Sequence, residues 1–229
     1  MRFLLFVCFK QEIQLYCKSN KDGKQIGDCP YTQFLQLVML KKGIRYSVHP
    51  TLSTEKPEWL TQQHDGILPA LKHKEKTLCD SLKIAEYLEE VFPNYSLTRP
   101  GTYSYTEIIE KTNNFFPTLK SYIINKDPLQ ETELSNAMER EIDVIDSILR
   151  STPGHYLCGI DMTFADLYLV PQLYHAMVTI NHFKHRDILH LEGDPVRPAF
   201  EAFLTRLLNS DIFNHKQAYY PSDEIIYNW

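Results

Sequence analysis

The stretch Gly27-Asp28-Cys29-Pro30-Tyr31-Thr32 limits what this chain can fold into more than any other. Ahead of it, Glu12 to Cys17 alternates and ends at the turn-rich Ser19-Asn20-Lys21-Asp22-Gly23, the pattern of a strand followed by a loop. Behind it, Phe34, Leu35, Val38 and Met39 recur at helical spacing between Pro30 and Lys42. Gly43 supplies the stop, and Lys41 and Lys42 suit the negative end of the helix dipole. Ile44 to Val48 alternates again and predicts a second strand. Strand, helix and strand in that order call for a crossover and a parallel pair. Proline suits the first helical position, where its missing N–H leaves no bond unmade, so Cys29 is held at the helix N-terminus.

There the unpaired backbone N–H groups and the positive end of the dipole favour thiolate over thiol. Such sites lower a cysteine pKa from ~8.5 to between ~3.5 and ~7.5, and the thiolate is the nucleophile. The functional reading is a reactive Cys29; the bland one is an inert cysteine that happens to precede a proline. Thr32 stands where a dithiol enzyme carries its second cysteine, so the site is monothiol. A mixed disulfide on Cys29 must then be resolved by an outside thiol, and cytosolic glutathione is the obvious one. The five cysteines are an odd, scattered set without CxxC spacing, which fits a reducing, cytoplasmic setting. Cys17, Cys79 and Cys158 read as buried bystanders.

Leu68 to Lys72 and Lys76 to Cys79 read as two short strands joined by a polar turn at Lys74-Glu75, and Ser81 to Val91 as a helix ended by Pro93. From Thr106 to Phe213 the periodicity is helical, with breaks at Pro128, Pro153-Gly154 and Gly193-Asp194-Pro195; Tyr219-Tyr220-Pro221-Ser222 onward reads as an extended tail. The division expected is an N-terminal extension over 1–11, an α/β domain over 12–93, a linker over 94–105 and an all-α domain over 106–229. The apolar run Met1 to Phe9 resembles a short targeting signal but lacks a small-residue cleavage site, so an added edge strand or a tail is the stronger reading. A formal charge of −5 gives no basic face for nucleic acid, and no stretch approaches the ~20 apolar residues of a spanning helix.

Three further motifs stand out. In Gly66-Ile67-Leu68-Pro69-Ala70 a proline opens a strand, a candidate cis peptide that turns backbone groups toward the thiol; an ordinary trans edge proline is the alternative. Asp80-Ser81 opens a helix, either as a plain N-cap or as a holder of an amino-acid moiety. Thr163-Phe164-Ala165-Asp166 is a capping box with Asp in place of Glu, and its role is structural. His182 and His185 have no further ligand at metal spacing, so no metal site is expected. Lys18, between strand and loop, is a candidate partner for an anionic ligand.

Together these residues resemble the cytosolic glutathione transferases, which pair a thioredoxin-like half with a helical half carrying a Thr-x-x-Asp box. Within them the match is to the cysteine-bearing branch of dehydroascorbate reductases and chloride intracellular channel proteins, from about Glu12 to Asp223. Gly27-Asp28-Cys29-Pro30, Lys56-Pro57-Glu58-Trp59 and Asp166-Leu167 through His175 are similar to the reductases. The loop Lys18 to Gly23, the run Tyr87 to Val91 and Tyr220-Pro221-Ser222-Asp223 are similar to the channel proteins. The short Arg150-Ser151-Thr152-Pro153-Gly154-His155 lacks the long acidic loop of the vertebrate channel proteins. Gln33, Gln36, Lys41, Lys42 and Arg45 interrupt the apolar stretch those proteins place after the cysteine, and a charge at a helix centre costs ~2.5–3.5 kcal/mol on insertion scales. Against the reductases, Ile67 stands where they tend to carry a lysine.

The resemblance implies an α/β thioredoxin-like N-terminal domain plus an all-α C-terminal domain, and a glutathione-dependent reduction of dehydroascorbate or of mixed disulfides. It implies Cys29 as nucleophile, with Lys18, Asp28, Pro30 and Tyr31 placing the substrate. Lys56, Leu68, Pro69, Asp80 and Ser81 would hold glutathione, a co-substrate rather than a bound cofactor. The partners expected are glutathione and a small-molecule oxidant, met by a monomer. The competing expectation is a channel-like protein that binds or enters membranes.

Overall fold

The computed structural model describes residues 13–191, 197–216, 218 and 220–229. The expected N-terminal extension, the break at Gly193-Asp194-Pro195 and Tyr219 of the expected tail lie outside them. β1 (Ile13–Lys18) buries Ile13, Leu15 and Cys17 on one face, the period-two pattern of a strand with one covered side. The chain returns through α1 (Pro30–Lys41) to β2 (Tyr46–Thr51), parallel to β1 with Ile13 opposite Tyr46. After α2 (Glu58–His64), β3 (Ala70–His73) runs antiparallel to β1, and β4 (Lys76–Cys79) antiparallel to β3. The sheet order is β2-β1-β3-β4. α1 and α3 (Ser81–Val91) pack together and share a core with Ile13, Leu15 and Leu71. On the opposite face Trp59 of α2 meets Tyr16 edge-on.

Two strands begin later than the alternation predicts. The Ile44 N–H is taken by the Met39 carbonyl at 2.8 Å in the closing turn of α1, where Gly43 sits at φ +64°, so β2 starts only at Tyr46. β2 then runs through Pro50, which an edge strand tolerates. Pro69 has no N–H to give a ladder, and β3 starts after it.

The rest is helical: α4 (Tyr105–Lys111), α5 (Phe115–Ile124), α6 (Glu131–Ser151), α7 (Phe164–Thr179), α8 (Pro198–Leu208) and α9 (Ser222–Asn228). A π-helical stretch, Ile180–Lys184, continues α7. The expected extended tail is thus corrected: Pro221 starts a short helix that buries Ile225 and packs on α7. The Thr-x-x-Asp box does its structural work. The fully buried Asp166 accepts from the N–H groups of Leu157 and Thr163, both at 2.8 Å, tying the connection before α7 to its first turn.

Lys42 also differs from expectation. Its buried ammonium serves α3 and the following connection rather than the end of α1: Nζ lies 2.6 Å from Glu89 Oε2 and donates to the carbonyls of Tyr95 (3.0 Å) and Asn94 (3.3 Å). Glu89 in turn accepts the Leu97 N–H at 3.0 Å. Removing one partner of a buried pair leaves the other charge uncompensated. Lys42→Met should therefore cost about 3 kcal/mol in urea denaturation, while Lys41→Met should cost less than about 1 kcal/mol. Equal losses at the two positions would show that this network does not hold the connection.

Candidate functional site

The register brings separate parts of the sequence to one edge of the sheet. Tyr16 lies opposite Ala70, and Ala70 opposite Cys79, so Lys18, Pro69 and Asp80 stand just beyond the ladder at the same end. The N-termini of α1 and α3 open there too. Between Lys18 and Asp28 the chain makes a short excursion closed by a Ser19–Ile26 bridge and a Gly27 N–H bond to the Lys18 carbonyl at 2.8 Å. A Cβ on Gly27 would sit 2.7 Å from the Ser19 carbonyl oxygen, so the closure needs glycine. It lets the Lys18 ammonium reach the buried Asp28 carboxylate at 2.9 Å.

Cys29 is the N-cap of α1, partly exposed, with its carbonyl accepting from the N–H groups of Thr32 and Gln33 at 3.1 Å. The sequence predicts a depressed thiol pKa here, and this is corrected. Burial pushes the Cys29 thiol above its ordinary value and the Asp28 carboxylate adds to that. The backbone N–H and hydroxyl of Thr32, and the backbone of Tyr31, pull the other way without overcoming burial. The Thr32 hydroxyl is buried with no hydrogen-bond partner among the described residues, which leaves its proton available to a Cys29 thiolate. Thr32 thus gains a role that its residue type alone did not suggest.

Lys18, Asp28, Cys29, Pro30 and Tyr31 all line one cleft of about 270 Å³. Its other wall comes from the helical half and was missed by the sequence reading: Phe116, Lys120 and Ile124 of α5, His175 of α7, and Asn228 and Trp229 at the end of the chain. The 116–120–124 spacing is a stripe on one helix face, the one signal that could have grouped those three. Tyr31 bridges the halves, its ring centroid 5.9 Å from Phe116 and 5.8 Å from Tyr168. Trp229 meets Phe116 edge-on at 5.7 Å and donates its indole N–H to His175 Nδ1 at 3.3 Å. Burial drives the His175 pKa down to about 4, against the pull of Asp28, so the imidazole is neutral at pH 7 and accepts that bond.

The residues expected to hold glutathione lie around the same sheet edge. Leu68–Pro69 is cis, as the strand-opening proline suggested. Gly66, at φ +70°, turns the chain into it, and a Cβ there would stand 3.2 Å from Lys56 Nζ. Lys56 therefore sets a cation over the turn where Ile67 offers none. Asp80, itself at φ +73°, caps α3: its Oδ1 accepts from the N–H groups of Leu82 (3.0 Å) and Lys83 (3.1 Å). The N-cap reading is thereby met at one oxygen, and Ser81 is buried beside it.

Volume does not coincide with chemistry. A larger cavity of about 580 Å³, bounded by Ile26, Gln36, Val48 and Tyr220, has no cysteine in its lining. Among the described residues no three His, Cys, Asp or Glu side chains are grouped to hold a metal ion, and Cys17, Cys29, Cys79 and Cys158 are free thiols.

Comparison with known proteins places this arrangement. A family model described as the CLIC-like N-terminal domain matches residues 11–94. The Arabidopsis thaliana protein named glutathione S-transferase DHAR2 is 30% identical over 164 residues, which are 71% of this chain and 74% of that protein. The rice (Oryza sativa subsp. japonica) protein named probable glutathione S-transferase DHAR2, chloroplastic, is 31% identical over 165 residues, 72% of this chain but only 58% of that protein's length. Human chloride intracellular channel protein 3 is 28% identical over 194 residues, 77% of this chain and 81% of that protein. The crystal structure of Chlamydomonas reinhardtii dehydroascorbate reductase shares the fold with a TM-score of 0.76 at 24% identity, over 95% of this chain and 97% of that one. The chain belongs to the glutathione S-transferase family, in the branch that holds the dehydroascorbate reductases and chloride intracellular channel proteins.

Proposed function

We propose that this protein is a glutathione-dependent thiol oxidoreductase that reduces dehydroascorbate or glutathione mixed disulfides through Cys29. The observation that carries this reading is a partly exposed cysteine at a helix N-terminus, on the floor of a cleft shared by both halves of the fold. With a mixed disulfide, the Cys29 thiolate attacks the glutathione sulfur. The substrate S–S bond breaks, the partner leaves as a thiolate, and a Cys29–glutathione disulfide forms. A second glutathione thiolate attacks that disulfide, releasing oxidised glutathione and restoring Cys29.

With dehydroascorbate, the thiolate adds to a carbonyl carbon. A glutathione thiolate then attacks the Cys29 sulfur, the C–S electron pair moves onto carbon, and the enediol of ascorbate departs. The remaining Cys29–glutathione disulfide is resolved as before, so two glutathiones are oxidised for one ascorbate formed. The backbone of Tyr31 and the backbone and hydroxyl of Thr32 stabilise the thiolate, Lys18 and Asp28 place the substrate, and Pro30 fixes the helix start behind the sulfur. Lys56, the Leu68 backbone, Pro69, Asp80 and Ser81 hold glutathione in this scheme.

A membrane-binding role is the second reading, favoured by the CLIC-like match over residues 11–94. Among the described residues no helix is long and apolar enough to cross a membrane. That reading requires α1 to leave the partners of its buried Gln33 and Gln36, and flotation with lipid vesicles under oxidising conditions tests it.

Glutathione-dependent turnover of dehydroascorbate and of a small mixed disulfide should fall at least ~10³-fold in Cys29→Ser, since a hydroxyl cannot form the disulfide. Activity surviving in that variant would overturn the reading. Because burial raises the Cys29 pKa, alkylation by iodoacetamide should rise with pH through a midpoint above the ~8.5 of a free thiol. Thr32→Val removes one donor worth about 1 kcal/mol and should move that midpoint up by about 0.7 units. A wild-type midpoint below ~7 would mean that the helix N-terminus outweighs burial after all.

A further inference from the structure

Lys18 and Lys120 are the two lysines of the Cys29 cleft, and only one of them has a partner. Lys18 is committed to Asp28 at 2.9 Å, and Asp28 is the sole acidic residue in the lining. Lys120 has no ion pair, hydrogen bond or ring contact among the described residues and is exposed on α5. Along the same face, Phe116 and Ile124 stand one turn to either side of it, with Ile124 56% exposed, and Trp229 packs edge-on against Phe116. The helical wall opposite the thiol is thus an apolar shelf carrying one positive side chain with no ion-pair partner among the described residues, in a chain whose formal charge is −5.

We infer that Lys120 selects the oxidised co-substrate, and that the class it selects is an amphipathic anion: a disulfide whose non-glutathione half has an aromatic or otherwise apolar body and a carboxylate. This rests on the thiol oxidoreductase reading above and names its second substrate. Dehydroascorbate, small, polar and uncharged, uses neither the shelf nor the charge. An apolar body on Phe116, Ile124 and Trp229 removes their exposed surface from water. Its carboxylate then meets an ammonium that no acidic side chain among the described residues pairs with. The reaction is the exchange already written, with the anionic thiolate as leaving group.

The test compares two mixed disulfides of glutathione with matched aromatic thiols, 2-nitro-5-thiobenzoate, which bears a carboxylate, and 4-nitrothiophenol, which does not; dehydroascorbate is assayed beside them. Wild-type protein should show the higher kcat/KM with the carboxylate, expressed mainly in KM. Lys120→Gln should lower the ratio of the two kcat/KM values about fivefold, the size of a partly solvated ion pair. Lys120→Glu should lower it further, below one. Raising salt from about 0.01 M to about 0.15 M should shrink the wild-type ratio and leave that of Lys120→Gln flat. If both disulfides are turned over and the ratio is the same in all three proteins, the inference is overturned and the oxidoreductase reading stands. If wild-type protein turns over none of the three oxidants, the oxidoreductase reading fails and takes the inference with it.

Discussion

The site depends on α1 being enclosed on all sides. From Pro30 to Met39 only Tyr31 is not buried, because the helix packs against α7 and α3 and shares a core with β1 and β3. Its enclosed face includes Gln33 and Gln36, and buried amides must be bonded or they oppose folding. The C-terminal segment meets that need at one atom of each amide, while Gln33 Oε1 is left without a partner among the described residues. Gln33 Nε2 donates to the Ala218 carbonyl at 2.6 Å, and the Tyr220 hydroxyl donates to Gln36 Oε1 at 2.8 Å. Apolar packing alone would leave the helix free to rotate by small amounts about its axis. Two directional bonds on one side remove that freedom, and with it any latitude in where the first turn aims its N–H groups. Cys29 is therefore placed by contacts some 185 residues away in sequence.

That placement sets two opposing effects on the thiol. The enclosure that orients α1 also strips water from the sulfur, which raises its pKa; the donors of Tyr31 and Thr32 act in the other direction. A helix N-terminus in an open setting would give a low pKa but a loosely held nucleophile. Here the nucleophile is held firmly and its pKa rises with the burial that holds it. Lys18 does little to offset this directly, since its charge is shared with Asp28 at 2.9 Å. The neighbouring Cys17 is further from reactivity: burial pushes its thiol up to about 12.

Local patterns carried most of the sheet-bearing half. β4 and α3 have the bounds that the sequence predicts: α3 has one covered face and one open face, and β4 is delimited by the turn at Lys74-Glu75 and by the Asp80 cap. The Cys-Pro start of α1 and the strand-opening Pro69 were readable because proline restricts its own position. α2 was missed for the opposite reason: seven residues with Leu60 alone buried leave no periodicity to detect. The starts of β2 and β3 were misjudged because a closing-turn bond to Ile44 and the missing N–H of Pro69 override side-chain alternation. α7 is buried nearly all round, so its composition indicated a helix without indicating which residues face the thiol. The carboxylate of Asp80 was readable as a cap and no further.

The helical wall of the cleft was illegible for a more general reason. Phe116, Lys120, His175 and Trp229 come from three elements whose approach is set by core packing, and no short motif records that approach. Trp229 illustrates the point. It reaches the cleft only because Pro221 starts α9, Ile225 anchors that helix on α7, and the indole then finds the neutral His175. Each step is locally unremarkable and was read as a tail. The two halves consequently differ in kind. The sheet edge supplies a thiol, a cis-proline and capped helix ends, all of which need particular residues at particular backbone positions. The helical wall supplies shape and one charged side chain, which many sequences could provide. Substitutions along the 116–120–124 stripe can therefore change what the cleft accepts while leaving the backbone that holds Cys29 intact.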